Sequence, residues 1–188
     1  MRFWARSLGV GAAVGLAVGF LVGGILGRVF MRLLALAEED ALGLRTAMGA
    51  VVGDLTAGGT LAIFVFGGFA GTFLGVGYVL VRGLMPNGVL WRELLFVSGC
   101  VALLLPPIVS GNLDDFSFLP VTLSLGLIVG SVTLAAAPVP LLVERFAPDR
   151  ERRPWRPASY MLVGLALCAS GALAVQAVLD AYAVESLF

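Results

Sequence analysis

Long apolar runs separated by short polar connections dominate the sequence. Five runs contain no Asp, Glu, Lys or Arg, and each is at least 20 residues long. They cover residues 7–27, 55–81, 94–113, 116–143 and 157–179. Because a helix rises ~1.5 Å per residue, about 20 residues cross the ~30 Å hydrocarbon layer of a bilayer. The pattern therefore predicts five membrane-spanning helices, at about residues 7–36, 57–82, 91–111, 119–144 and 157–182.

These runs do not have the pattern of spanning strands. A membrane β-strand alternates apolar and polar positions over roughly ten residues, whereas the runs here are continuously apolar. Helices also satisfy their own backbone hydrogen bonds in lipid. We therefore predict an all-α polytopic integral membrane protein in which residues 1–188 form a single transmembrane domain, a five-helix bundle.

The connection between the first two runs is long enough to hold a further element. Residues 46–52 are apolar but far too few to cross a bilayer. We expect a short interfacial or re-entrant segment within residues 38–53, on the outer face of the bundle.

The composition supports the membrane assignment and removes several classes of function. Of the 188 residues, 60% are hydrophobic and 13% are charged, a balance that a soluble monomer of this size does not have. The chain has no His, which excludes imidazole ligation of haem or chlorophyll and His-based acid–base catalysis. The sequence also has no nucleophile with an evident base and no phosphate-binding loop of the strand–helix type. We therefore expect no enzymatic activity, no cofactor and no binding of nucleic acid.

The basic residues predict the orientation in the membrane. All 12 are Arg, which together with 25 Gly is typical of a GC-rich bacterial genome. With a cytoplasmic N-terminus, nine arginines fall in inner segments and three fall outside, in agreement with the positive-inside rule. The tryptophans Trp4, Trp91 and Trp155 then all lie at inner ends, at headgroup level. We predict a bacterial cytoplasmic membrane protein with a cytoplasmic N-terminus and an extracytoplasmic C-terminus.

Glycines spaced four apart predict which helices pack closely. The first run carries an unbroken ridge of five, and the second run carries a shorter ridge. The two sets are Gly11, Gly15, Gly19, Gly23 and Gly27, and Gly67, Gly71 and Gly75. Residues four apart share a helix face, and a face without side chains lets another backbone approach closely. We predict close antiparallel contact between the first two spanning helices, with self-association or docking on another subunit as the alternative use of the ridges.

Prolines predict irregularities in two of the helices. Pro106 and Pro107 lack backbone donors and should kink or stop the third spanning helix near its outer end. Pro138 and Pro140 should bend the fourth helix near its inner end. Such breaks are tolerated in lipid where neighbouring protein covers the freed carbonyl groups.

The candidate site lies at the outer end of the first spanning helix. Arg28 and Arg32 are one turn apart and share a face, and apolar sequence continues beyond both as far as Ala37. An arginine inside the membrane needs a partner. The candidate partners are four polar residues of the outer connections: Asp54, Asn112, Asp114 and Asp115.

Two interpretations of this cluster remain open. In the structural one, the arginines snorkel to the interface or fasten loops through ion pairs with Asp54 and Asp115. In the functional one, the two guanidinium groups bind an anion or a phosphate headgroup. No metal site is predicted, because the spacing of the outer polar residues does not match a calcium loop. The residues considered for such a site are Glu38, Asn112, Asp114 and Asp115.

The leading functional hypothesis is a multi-pass membrane protein without catalytic activity, a structural or accessory subunit that packs within a larger membrane complex. The glycine ridges and the lack of reactive groups motivate it. Its expected partners are the lipid bilayer and either other membrane subunits or a second copy of the chain. The alternative is a small channel or transporter for an anion or anionic amphiphile that uses Arg28 and Arg32.

Overall fold

All regular structure in the described residues is helical, as the sequence predicts. The computed structural model describes residues 2–37, 43, 56–85, 88–113, 121–147 and 157–185. The α-helices in them are α1 (Arg2–Val18), α2 (Gly24–Ala37), α3 (Ala57–Val81), α4 (Val89–Ser110), α5 (Val121–Ala136), α6 (Pro138–Phe146) and α7 (Pro157–Glu185). A π-helical turn, Gly19–Gly23, joins α1 to α2, and a 3-10 turn, Arg82–Leu84, follows α3.

Among the described residues, four helical segments are long and apolar enough to cross a membrane. They are Trp4–Leu33, Ala57–Leu84, Val89–Ser110 and Val121–Phe146. The last helix, α7, has 29 residues and contains the apolar segment Cys168–Ala183. Large apolar side chains cover the outside of the helices; Phe66, Phe69 and Phe73 of α3 are each more than 60% exposed. Such a surface suits lipid rather than water, which indicates a membrane-embedded helical protein.

The first helix and α3 run antiparallel and touch through their backbones. A Cβ atom built on Gly11 would lie 2.7 Å from the carbonyl oxygen of Gly75, and one built on Gly71 would lie 2.6 Å from the Cα atom of Gly19. The facing sets are Gly11, Gly15, Gly19 and Gly23 on the first helix and Gly67, Gly71 and Gly75 on α3, with Gly27 against Ile63. Side chains as small as that of Ala would force the two backbones apart. Van der Waals contact at this distance replaces the hydrophobic effect, which does not drive helices together in lipid.

The π-helical turn keeps the glycine ridge directed at α3. In a regular α-helix, residues four apart are rotated about the helix axis by about 400°. Each successive glycine of the ridge would therefore lie ~40° further around the helix than the one before. A π-turn holds more residues per turn and removes part of this drift between Gly19 and Gly23. Both glycines face Gly67, and a Cβ atom on Gly23 would lie 3.3 Å from the Gly67 Cα atom. Directly after the turn, Gly24 leaves room for the ring of Phe64.

Two apolar clusters fill the bundle. One lies among α1, α3, α4 and α6 and includes the fully buried Val79, Val139 and Val143. The other lies among α4, α5 and α7 and includes the fully buried Val109 and Val121. Helix α4 contributes to both clusters. Within the described residues, α7 packs mainly on α4, so it lies at the periphery of the bundle.

The helix α4 does not stop at its two prolines. It continues through Pro106 and Pro107 to Ser110, so of the two predicted effects, a kink or a stop, the stop does not occur. Leu105 and Val109, on either side of the pair, are buried against α5 and α7. This packing holds the last turn in helical form although two backbone donors are missing.

The other helix limits differ from the predicted ones by a few residues. The first helix begins at Arg2, and the fourth predicted helix is divided at Ala137, directly before Pro138. A proline suits the first position of a helix because its missing N–H group has no helical partner there. The predicted interfacial or re-entrant segment, residues 38–53, falls outside the described residues apart from Gly43.

Substitutions on α3 test the backbone contact. Gly71→Ala adds a methyl group against the Gly19 backbone and should destabilise the protein by about 1–3 kcal/mol, because an overpacked contact must open. Gly77→Ala is the matched control, since a Cβ atom there has nothing within 4 Å and Ala favours helix. Thermal unfolding of both variants in one detergent measures the difference. Equal unfolding temperatures would contradict the contact.

Candidate functional site

A polar cluster joins four helices at one end of the bundle. It consists of the side chains of Ser7, Tyr78, Arg82, Arg92 and Glu144, and is called the Arg82 cluster below. Ser7 lies in α1, Tyr78 in α3 and Arg82 at the start of the 3-10 turn that follows α3. Arg92 lies in the first turn of α4, and Glu144 lies near the end of α6. The cluster lies where several of these helices begin or end, and its bonds connect the helices there. We call this end of the bundle the Arg82 end.

Arg82 is the most deeply buried charged residue of the cluster, with 3% of its surface exposed. Its Nη1 atom donates to the carbonyl oxygen of Ala147 at 2.7 Å, and its Nη2 atom donates to the Ser7 hydroxyl at 3.1 Å. The Glu144 carboxylate lies 3.8 Å from Nη1. A buried guanidinium group is costly unless it is both paired and hydrogen-bonded. Here Ser7 of α1, Glu144 of α6 and the α6 C-cap Ala147 supply the necessary partners.

The carboxylate of Glu144 is the common acceptor. Its Oε1 atom accepts from Arg92 Nη1 at 3.1 Å and from the Tyr78 hydroxyl at 3.0 Å. Tyr78 is fully buried, and its ring packs edge-on against Phe96 of α4 with 5.1 Å between ring centroids. Charge-assisted bonds of this kind are stronger than neutral ones. The carboxylate therefore ties α6 to both α3 and α4.

Local sequence explains how these groups meet. Tyr78 and Arg82 are four residues apart at the end of α3, so they lie on the same face, one turn apart. The 3-10 turn that begins at Arg82 also ends the helix there. On α6, Glu144 lies near the C-terminal end of the helix, and its side chain is 23% exposed, because it is directed at Tyr78 and Arg92 of the neighbouring helices.

A second polar contact lies at the opposite end of the bundle, called the Arg28 end below. The Nη2 atom of Arg28 donates to the Thr60 hydroxyl and to the carbonyl oxygen of Thr56, the latter at 3.2 Å. Thr56 is the N-cap of α3, and its hydroxyl accepts from the backbone N–H of Gly59 at 3.1 Å. Arg28 is therefore level with the first turn of α3 and not deep within the bundle. Its Nε atom is buried and has no hydrogen-bond partner among the described residues.

The remaining predicted site residues are not assembled around Arg28 in the part of the chain that the structure describes. Arg32 is exposed. Asn112 donates to the carbonyl oxygen of Ile108 at 2.6 Å and so closes the end of its own helix, α4. The carboxylates predicted to pair with the arginines lie outside the described residues: Asp54, Asp114 and Asp115. Glu38, considered only for a metal site, also lies outside them. Thr56 and Thr60 are thus the observed partners of Arg28.

The sequence pattern does not predict the Arg82 cluster. In the sequence, Arg82 and Arg92 contribute only to the positive-inside pattern. Two features of the sequence point towards it. Tyr78 and Arg82 are four residues apart, and the charged residues Arg82, Arg92 and Glu144 all lie at helix ends that the predicted topology places on the same side of the membrane. What the sequence lacks is any sign that these charges turn inward, because charged residues at helix ends usually meet water and headgroups.

Comparison with known proteins gives no relative. No protein-family model matches the chain, and no curated protein and no solved structure is significantly similar to it. Function is therefore inferred from the residues and their geometry.

A substitution at Glu144 tests whether the Arg82 cluster holds the bundle together. Glu144→Ala leaves the buried Arg82 without its carboxylate. Loss of one partner of a fully buried pair costs ~3–5 kcal/mol, and since the Glu144 side chain is 23% exposed we expect about 2–4 kcal/mol. Tyr78→Phe removes one hydrogen bond and should cost about 1 kcal/mol.

Arg145→Ala is the control for this series. Arg145 directly follows Glu144, but its side chain is exposed, and substitutions of exposed residues change stability by roughly 0.5 kcal/mol or less. Thermal unfolding in a mild detergent is the measurement. If Glu144→Ala unfolds at the same temperature as Arg145→Ala, the cluster does not stabilise the bundle.

Proposed function

We propose that the protein is a multi-pass membrane protein without catalytic activity that packs as a structural or accessory subunit in a larger membrane complex. In this proposal the chain crosses a bacterial cytoplasmic membrane five times, with the Arg82 end cytoplasmic and the Arg28 end extracytoplasmic. The distribution of arginines, nine in segments on the first side and three on the second, supports this orientation. A short interfacial or re-entrant segment between α2 and α3 is part of the same proposal.

One observation carries the proposal of a partner subunit. Gln176 and Asp180 on the peripheral helix α7 are both exposed, and the Gln176 amide donates to the Asp180 carboxylate at 2.8 Å. The surrounding surface of α7 is apolar, with Leu173, Val175 and Leu179 exposed. An amide and a carboxylate are costly where a helix meets lipid, and polar side chains on membrane helices commonly bond a neighbouring helix. Gln176 lies within the apolar run 157–179, and Asp180 directly follows that run. An exposed amide within the run therefore favours a partner that covers this part of α7.

The use of the other polar groups supports a noncatalytic role. Arg82 is bonded to Ser7 and to the backbone of Ala147, and Glu144 accepts from Tyr78. Each of these bonds joins two helices. Groups held in this way stabilise one arrangement of the bundle rather than meeting a substrate.

The alternative, transport of an anion through Arg28 and Arg32, has less support. The Arg28 guanidinium is held by Thr56 and Thr60 at the first turn of α3, and Arg32 is exposed on the surface. A liposome flux assay that compares wild type with Arg28→Gln and Arg32→Gln tests this alternative. Anion flux that depends on either arginine would favour it over the accessory role, and flux that is absent or unchanged removes it.

Purification from native membranes tests the proposed role. We expect the wild-type chain, at native expression and in mild detergent, to be recovered with partner protein. The double variant Gln176→Leu/Asp180→Leu should fold, because it makes an exposed face of a membrane helix more apolar, but should lose that partner. Quantitative mass spectrometry of the recovered proteins measures both results.

Ser98→Leu is the matched control for this experiment. Ser98 is an exposed polar residue of α4 whose hydroxyl bonds its own helix at Leu94, so its replacement makes the same kind of change on a different surface. Recovery of wild-type protein as a solitary monomer would contradict the proposal. An equal loss of partner in the control would show that α7 is not the contact.

A further inference from the structure

Two arginine residues lie one turn apart on α2 at the Arg28 end, and neither has an ion pair among the described residues. Arg28 and Arg32 are four residues apart on α2, so they point to the same side of the helix. Among the described residues no carboxylate forms an ion pair with either; the ion pairs found there involve Arg82 and Arg92. The Nε donor of Arg28 also has no partner within the same set. Because both residues are on one face of α2, an anion bound beside that face could contact both side chains.

The start of α3 adds to the positive potential at this place. Arg28 donates to Thr56, the N-cap of α3, so its charge lies beside the positive end of a 25-residue helix dipole. The helix dipole disfavours a cation next to a helix N-terminus and favours an anion there. Gly58, in the first turn, is exposed, and a Cβ atom there would have nothing within 4 Å, so the start of α3 is open on that side.

The surface around the two arginines is apolar. Val29, Leu33 and Leu36 of α2 and Leu61 of α3 are all exposed, from 40% to 65% of their surface. The arginines thus form the polar edge of a surface that otherwise suits acyl chains. A ligand that carries both a phosphate group and hydrocarbon chains matches this arrangement, whereas a free inorganic ion matches only the charged part.

We propose that Arg28 and Arg32 bind the phosphate group of an anionic phospholipid in the leaflet at the Arg28 end. Guanidinium groups bind phosphate oxygens through two parallel hydrogen bonds. Thr56 and Thr60 hold the Arg28 side chain in place, and Arg32 reaches the same headgroup from the next turn. The acyl chains lie along the exposed apolar residues of α2 and α3. This site is independent of the accessory role proposed above and requires no transport.

Titration with defined lipids tests the proposal on the full chain in detergent. Native mass spectrometry with added phosphatidylglycerol, and separately with phosphatidylcholine, counts bound lipid; a parallel titration with inorganic phosphate tests the soluble source. Phosphatidylglycerol should bind best, because its phosphate charge is not offset by a choline group. Arg28→Gln/Arg32→Gln should weaken its binding about tenfold or more, since charge-assisted hydrogen bonds are lost.

Two further variants keep the test decisive. Arg6→Gln/Arg145→Gln removes two exposed arginines from the Arg82 end and should leave phosphatidylglycerol binding unchanged. Arg32→Gln alone changes an exposed side chain, so it should fold like wild type and still weaken binding several-fold. The thermal unfolding temperature without lipid confirms that each variant is folded.

The outcomes separate the possible sources of binding. The proposal is overturned if Arg32→Gln binds phosphatidylglycerol as wild type does, or if the Arg6/Arg145 double variant weakens binding as much as the Arg28/Arg32 double variant. It is also overturned if inorganic phosphate competes at the affinity of the lipid, because the ligand is then a soluble anion. Selective loss at Arg28 and Arg32, without competition by inorganic phosphate, supports it.

Discussion

The backbone contact between the first helix and α3 determines where the polar groups at both ends of the bundle meet. Gly11 faces Gly75, and Gly15 faces Gly71, so the two antiparallel helices have one register along their length. One turn before Gly11, this register places Ser7 beside Arg82. A slip of one turn, about 5–6 Å, would separate that hydrogen-bonded pair.

The same register sets the contact at the opposite end, where Arg28 donates to Thr60. The glycines permit the two backbones to approach closely. The hydrogen bonds at the two ends of the ridge determine which of the possible registers forms. Backbone contact in lipid is favourable but weakly specific, because a ridge of identical residues four apart fits equally well after a shift of four. Polar bonds at both ends remove this ambiguity, since each requires one particular pair.

The sequence predicts the apolar helices well because the physical requirement is simple. A run such as 55–81 has no charge and must cover about 30 Å, and α3 occupies nearly that run. The interiors of the helices were less predictable. The π-helical turn at Gly19–Gly23 depends on keeping a ridge against a neighbour, and the continuation of α4 through Pro106 depends on packing by other helices. Both are tertiary effects that a local pattern does not contain.

The candidate site shows the same limit for charged residues. The sequence singled out Arg28 because apolar residues surround it, but its observed partners are a hydroxyl and a carbonyl group rather than a predicted carboxylate. Conversely, Arg82 looked like an ordinary charge at a helix end, and it is 3% exposed. Burial of a charge is decided by which helices meet at that end. Residue type and spacing along one helix do not report it.

The two ends of the bundle differ in how their arginines are satisfied, and this difference bears on function. At the Arg82 end, Glu144 lies close to both Arg82 and Arg92, so protein groups supply the negative charge. At the Arg28 end, the described partners are neutral and a helix N-terminus adds further positive potential. Among the described residues, this one-sided arrangement of acceptors is the reason for the lipid site proposed above.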